Sequence, residues 1–78
     1  VKIGNKNITF GHGGRHLAGS GLSVQQVNNA IANDVISRPA TNGIVGHGTV
    51  TIGSVNIYYD YFTRSDNLIH IGTYYIKP

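Results

Sequence analysis

Two histidines and an arginine lie close together near the N-terminus, within the stretch Gly11-His12-Gly13-Gly14-Arg15-His16-Leu17. An imidazole exchanges a proton near neutral pH, and a guanidinium binds phosphate through a planar fork of donors. The glycines among them allow sharp backbone turns and a close approach to a ligand. The stretch therefore predicts either an acid–base site for a phosphate ester or a glycine-rich turn that carries surface histidines.

A metal site is a further interpretation of the same residues. His12 and His16 have the i, i+4 spacing that lets two imidazoles on one helix share an ion. However, Gly13 and Gly14 lie between them and disfavour a regular helix, and no acidic residue lies nearby in sequence to complete the ligand set. We therefore expect a site without a metal and without any other cofactor.

A second group of candidate residues lies towards the C-terminus. Thr73 and Tyr75 are two residues apart in a predicted strand, so their side chains are expected on the same side, although both types are also ordinary strand residues. His70 alternates away from Thr73 unless a bulge at Gly72 reverses the alternation. Arg64 lies at a predicted turn, where its guanidinium can contact phosphate.

These residue types suffice for one particular reaction, the cleavage of RNA without a metal. That reaction requires one group to deprotonate a 2′-hydroxyl, another to protonate the leaving 5′-oxygen, and donors that stabilise the phosphorane. Arg15 and His16 supply two of the groups, and Thr73 and Tyr75 offer further donors. His47, between two glycines, is interpreted as a loop residue, and Asp60, among tyrosines, is expected either to orient a base or to be solvated.

The composition limits the protein classes that fit. The chain has 78 residues, which is enough for a single domain, and it has no cysteine for a disulfide framework or a thiolate metal site. Its net charge of +3 favours a polyanionic partner such as RNA, DNA or an acidic protein. No apolar run approaches the length of a membrane span. The chain opens on Val1 and contains no methionine, which is typical of a piece of a longer protein.

One helix is predicted after the glycine-rich stretch. Ser23 is a good N-cap, with Gln26 three residues on as in a capping box, and Pro39 lies beyond the expected end. The helix is therefore predicted from about Val24 to about Ile36. Apolar residues recur along one side with helical spacing; they are Val24, Val27, Ala30, Ile31 and Val35.

The rest of the chain is predicted to be strands, and residues 1–10 are read as a loose extended lead-in. Residues 38–48 are interpreted as a linker with a turn at Asn42-Gly43. Alternating apolar residues and turn signals then predict strands over 49–52, 55–62 and 68–76. The fold class expected for residues 1–78 is α+β, with an N-terminal helix packed on one face of an antiparallel meander of three to four strands. The other face, or an edge cleft, is left for a ligand.

Several of these motifs together resemble a known family. The order Gly-His-Gly-Gly-Arg-His-Leu, Gly-Leu-Ser, a Val-x-x-Ala-Ile helix and a final Ile-Gly-Thr-Tyr-Tyr strand is similar to C-terminal toxin domains of bacterial polymorphic toxins. The nearest such group is the nuclease tip of contact-dependent growth inhibition proteins, which resembles the barnase–EndoU–colicin–RelE superfamily. The resemblance spans roughly residues 10–76.

The resemblance implies a metal-independent ribonuclease toxin that cleaves RNA, often tRNA, and is neutralised by a cognate immunity protein. It matches Arg15, His16, Thr73 and Tyr75 to catalytic motifs, and His12 less closely; a lysine found in some relatives has no counterpart here. The substrate-binding candidates are His12, Arg64 and His70. The resemblance also implies delivery on a larger secreted protein and action in the cytoplasm of a target cell. The alternative is a non-catalytic, β-rich binding module of a surface protein.

Overall fold

A computed structural model describes residues 2–11, 17, 19–38, 41–65 and 68–76. In these ranges the elements are β1 (Lys2–Ile3), β2 (Lys6–Phe10), α1 (Val24–Val35), β3 (Val45–Ile52), β4 (Val55–Ser65) and β5 (Leu68–Ile76). The strands form a five-stranded sheet in the order β1-β2-β5-β4-β3. The predicted α+β class is therefore confirmed.

The N-terminal residues belong to the sheet. The extended conformation expected over residues 1–10 is present in β1 and β2, whereas the expectation that this lead-in is loose is wrong. Strands β1 and β2 pair antiparallel, and β2 lies parallel to β5 with Ile8 opposite Ile69. Both isoleucines are fully buried. Burial of the apolar Ile8 side chain stabilises the N-terminal segment on the sheet. The sheet is consequently mixed and five-stranded, and it is not the antiparallel meander of three to four strands that was expected.

The predicted linker over residues 38–48 also ends earlier than expected. Strand β3 begins at Val45, and its whole length pairs antiparallel with β4. Glycines 46 and 48 fit in this strand because tyrosine rings of β4 cover their backbone. A Cβ atom built on Gly48 would lie 2.5 Å from the Cζ atom of Tyr59, so the missing side chain makes room for the ring.

Helix α1 follows its sequence signals closely. The hydroxyl of Ser23 accepts the backbone N–H of Gln26 at 3.1 Å, which confirms the N-cap. The helix ends at Val35, one residue before the predicted end, and Val24 at its start is 47% exposed. The side chains that it buries in the core are Val27, Ile31, Ala32 and Val35.

The core lies between α1 and one face of the sheet. Alternate residues of β4 (Ile57, Tyr59 and Tyr61) are buried together with Ile8, Leu17 and the apolar residues of β5. One polar cluster links the helix to the sheet: the Asp34 carboxylate accepts Arg38 Nε at 2.7 Å and the Tyr59 hydroxyl at 2.5 Å. A second polar contact joins the same elements, because the Tyr74 hydroxyl donates to Asn28 Oδ1 of α1 at 3.0 Å. Within the described ranges, no helix is long and apolar enough to cross a membrane.

Candidate active-site face

The face of the sheet opposite α1 carries polar and aromatic side chains, and we call it the open face. Cross-strand partners share a face of a sheet, so the pairing registers define its members. Most of them are half-buried or exposed. The residues of the open face used below are Thr9, His47, Tyr58, Asp60, Phe62, His70, Thr73 and Tyr75.

A β-bulge in β5 decides which residues of that strand reach the open face. Tyr59 pairs with Tyr74 and Tyr61 with Ile71, so Gly72 and Thr73 both lie opposite Asp60. The Oδ1 atom of Asp60 accepts the backbone N–H of Thr73 at 3.1 Å. The bulge suggested at Gly72 is thus present.

The bulge changes the alternation along β5. Ile71 and Tyr74, three residues apart, both face the core, and the residues on either side of the bulge share the open face. His70 therefore lies on the same face as Thr73 and Tyr75, although simple alternation would separate them. A Cβ atom at Gly72 would lie 2.6 Å from Asp60 Oδ1, so a larger residue there would have to displace the carboxylate that accepts the Thr73 N–H.

His70 is oriented by a neighbour on β2. Its Nδ1 atom is hydrogen-bonded to the Thr9 hydroxyl at 2.7 Å, and the pair is formed by the parallel register that places Thr9 beside His70. No hydrogen bond is formed by Nε2 within the described part of the chain, and this atom faces Gly11, where a built Cβ would lie 3.5 Å away. A hydrogen bond to one ring nitrogen holds the imidazole and leaves the other free for proton transfer.

The glycine-rich stretch leaves the sheet next to this histidine. Gly11 donates its N–H to the carbonyl of Ile71 at 2.9 Å, and a Cβ atom on it would lie 2.7 Å from the Gly72 carbonyl oxygen. The candidate residues His12, Arg15 and His16 lie outside the described residues. The description of the chain resumes at Leu17, which is buried in the core at 5% exposure. The described residues that flank this segment are thus Gly11, close to His70 Nε2, and the buried Leu17.

Three aromatic rings cross the open face, and we call them the aromatic row (His47, Tyr58 and Tyr75). The rings of His47 and Tyr58 are within 24° of parallel with centroids 5.6 Å apart, and the Tyr58 hydroxyl is hydrogen-bonded to His47 Nδ1 at 2.6 Å. Tyr58 and Tyr75 have centroids 5.3 Å apart at 41°. Tyr75 is thus part of a continuous aromatic surface over β3, β4 and β5.

Arg64 lies at the other end of β4. Tyr75 pairs with Tyr58 of β4. Arg64 lies six residues after Tyr58 on the same strand, roughly 20 Å away along an extended chain. It is the extra residue of a second irregularity, between the pairs Thr63–Ile69 and Ser65–Leu68. Arg64 is therefore nearer to His70 than to Tyr75, and the structure does not bring it together with Tyr75.

The strongest electrostatic effects lie on the covered face. Burial raises the pKa of the Tyr59 phenol, and its hydrogen bond to the Asp34 carboxylate raises it further. The hydrogen bond to Asp34 also raises the pKa of Arg38. A phenol held neutral in this way is a structural donor, so this cluster joins α1 to the sheet. The described residues contain no group of three or more histidine, aspartate or glutamate side chains arranged to hold a metal ion.

Three polar residues of the open face were missed or assigned elsewhere by sequence reasoning. Thr9 was placed in the lead-in and His47 in a linker, and Asp60 was expected to orient a base or to be solvated, whereas its carboxylate accepts the Thr73 N–H at the bulge. For His47 a signal exists: it shares its parity with Thr49 and Thr51, which is the polar alternation of a half-buried strand. No comparable signal marks Thr9, because its role depends on the parallel contact between β2 and β5.

Comparisons of the chain with protein-family models, with curated proteins and with solved structures gave no match. The functional assignment therefore depends on the residues of the chain and on their arrangement.

Proposed function

We propose that the protein is a metal-independent endoribonuclease toxin domain that acts on RNA, with tRNA as the expected substrate. The observation that carries the proposal is the β5 bulge. It groups a histidine, a threonine and a tyrosine (His70, Thr73 and Tyr75) on one uncovered sheet face, beside the point where the His12–His16 segment begins. Proton-transfer groups and phosphate donors are what this reaction requires.

In the proposed reaction the 2′-oxygen of a ribose attacks the adjacent phosphorus, and a P–O2′ bond forms as the P–O5′ bond breaks. One imidazole takes the proton of the 2′-hydroxyl, and another gives a proton to the departing 5′-oxygen. His16 and His70 are assigned to these two roles. The products are a 2′,3′-cyclic phosphate and a 5′-hydroxyl, so that atoms and protons balance without a cofactor.

The assignment of His70 differs from its first interpretation as a substrate-binding residue. Its hydrogen bond to Thr9 fixes the ring, and its Nε2 atom is directed to the region of Gly11. Some members of the family that the chain resembles have an active-site lysine, which this chain lacks. We therefore assign to His70 the second proton-transfer role, which the lack of that lysine left without a candidate. Arg15 and Thr73 are proposed to stabilise charge on the phosphorane. Tyr75, which pairs with β4 about 13 Å along the strand from the partner of His70, is reassigned from the catalytic group to substrate binding, and His12 and Arg64 are proposed to bind neighbouring phosphates.

The wider setting is part of the same proposal. The motif order resembles toxin domains of the barnase–EndoU–colicin–RelE superfamily, and the net charge of +3 suits both RNA and an acidic immunity protein. Such a domain would be delivered on a larger secreted protein and would act in the cytoplasm of the target cell. An immunity protein that covers the open face should associate in a salt-dependent manner.

The test is incubation of the purified domain with total tRNA in EDTA, followed by a denaturing gel and analysis of the cut ends. The proposal predicts cleavage with 2′,3′-cyclic phosphate ends, and it predicts that His16→Ala and Arg15→Ala abolish cleavage without loss of fold. Activity that is lost in EDTA and restored by Mg²⁺ contradicts it. Complete lack of cleavage under both conditions favours the alternative, a non-catalytic binding module.

A further inference from the structure

The aromatic row has no part in the core, yet it is the most continuous aromatic surface of the described chain. Its three rings come from three adjacent strands and lie 5.6 and 5.3 Å apart between successive centroids. The hydrogen bond between Tyr58 and His47 holds two of the rings in place. Aromatic side chains arranged in advance on a sheet face are suited to stacking on flat ligands, because little conformational entropy is lost on binding.

Next to the aromatic row, one backbone edge of β5 has no partner strand among the described residues. The pairing of β2 with β5 ends at Phe10 and Ile71, so from Gly72 to Ile76 the corresponding edge of β5 has no partner strand among the described residues. Tyr75 lies on this part of β5 and is 41% exposed. The exposed part of the Tyr75 ring is therefore available for contact with a planar group.

The charge of the chain selects the class of ligand. Asp34, one of the three acidic residues, is paired with Arg38 on the covered side. Outside this pair the chain has five basic side chains and two carboxylates, so three positive charges are in excess. An aromatic surface on a protein with excess positive charge fits a ligand that is both planar and polyanionic, which describes a nucleic acid better than a neutral sugar or an apolar peptide.

We propose that the aromatic row binds unpaired bases of RNA by stacking, which rests on the proposed function of the open face and defines its substrate as single-stranded or looped RNA. Every base offers a π-face, so stacking on tyrosine tolerates different sequences. Bases in a duplex are already paired and stacked, and they are not free to bind the rings.

The row lies at a distance from His70 that suits a neighbouring nucleotide rather than the reacting one. Tyr58 and Phe62, the partners of Tyr75 and His70, are four residues apart on β4, about 13 Å along the strand. The bound base therefore positions the strand, and the phosphate near His70 is the one that is cut.

The test uses a fluorescent oligouridine whose 2′-oxygens are methylated, so that it binds without being cleaved. Removal of a ring by Tyr58→Val or His47→Ala should weaken binding in an anisotropy titration by about five-fold or more, the range found for base–aromatic stacking. Valine suits a strand, and His47 is exposed on an edge strand, so at least one variant retains the fold by circular dichroism. Tyr58→Phe keeps the ring and removes only its hydrogen bond to His47, so it should weaken binding much less than Tyr58→Val does. Val24→Ala, at an exposed site on the helix, is the matched surface control.

The outcomes separate this inference from the proposed function. Unchanged affinity of folded Tyr58→Val and His47→Ala overturns the inference, and so does equal or tighter binding of an RNA duplex or a neutral glucan. If these variants still cut tRNA with the parental KM, the ribonuclease function stands and the row is not its binding site. Ring-dependent binding in a protein that never cuts RNA supports the aromatic row and refutes the nuclease.

Discussion

The covered face and the open face of the sheet are built from alternate residues of the same strands. On β4, Ile57, Tyr59 and Tyr61 pack under α1, whereas Tyr58 and Asp60 between them contact His47 and Thr73 on the neighbouring strands. The polar groups of the covered face are used to join elements, as in the cluster of Asp34 with Tyr59. On the open face the polar groups orient one another and remain half-exposed. Residues that stabilise the core and residues of the proposed site thus alternate along the same strand.

The largest effect on stability is expected on the covered face. Ile57→Ala removes a fully buried side chain and should lower the free energy of unfolding by about 2–5 kcal/mol, measured by urea denaturation. Its neighbour on the open face, Asn56, is exposed and bonded to Thr51. Asn56→Ala should cost less than about 0.5 kcal/mol. Equal losses at the two positions would refute the separation of the two faces.

A smaller loss is expected where a glycine makes room for a buried ring. In Gly48→Ala the new Cβ would lie 2.5 Å from Tyr59 Cζ and 2.6 Å from Arg38 Nε. Because Tyr59 is fully buried and bonded to Asp34, it cannot move away easily, and we expect a loss of about 1–3 kcal/mol. The same substitution in a Tyr59→Leu background should cost less, which a double-mutant cycle measures. Additive losses would show that the ring is not the obstacle.

The smallest effect is a dependence of stability on alkaline pH. The pKa of Tyr59 is raised in the folded protein, so the unfolded chain loses this proton first, near pH 10. The stabilisation is complete below that pH and is lost as the pH rises, by at most about 1.4 kcal/mol per pH unit. Tyr59→Phe should reduce this slope in urea titrations between neutral pH and pH 11. A residual slope is expected from Tyr74, whose pKa burial also raises. Identical slopes for parent and variant contradict the prediction.

The sequence predicted local features better than contacts between distant segments. The N-cap at Ser23, the helix, and the strands over 55–62 and 68–76 follow from capping and alternation, and all are present. The N-terminal strands were missed because their evidence is non-local: β2 is short and its only apolar residues are Ile8 and Phe10, and it is ordered by the parallel contact with β5. The glycines of β3 were read as loop signals, since nothing local indicates the rings of Tyr59 and Tyr61 above them.

The candidate site shows the same limit. Thr73 and Tyr75 were assigned to one side of a strand from their spacing, and both lie on the open face. The position of His70 depended on whether β5 is bulged, which a glycine permits but does not require. The Asp60 carboxylate that accepts the Thr73 N–H at the bulge lies 13 residues away on another strand. Its contribution follows from the sheet register and not from the local sequence.

The central claim is that the open face carries the cleavage of RNA, with His70 as one of its proton-transfer groups. The most direct measurement is the rate of tRNA cleavage in EDTA by the parent and by His70→Ala, with thermal unfolding followed on the same preparations. The account predicts that the parent cleaves and that the variant is about 10²- to 10⁴-fold slower while its melting temperature stays close to that of the parent. A folded His70→Ala protein that cuts tRNA at the parental rate would contradict the account.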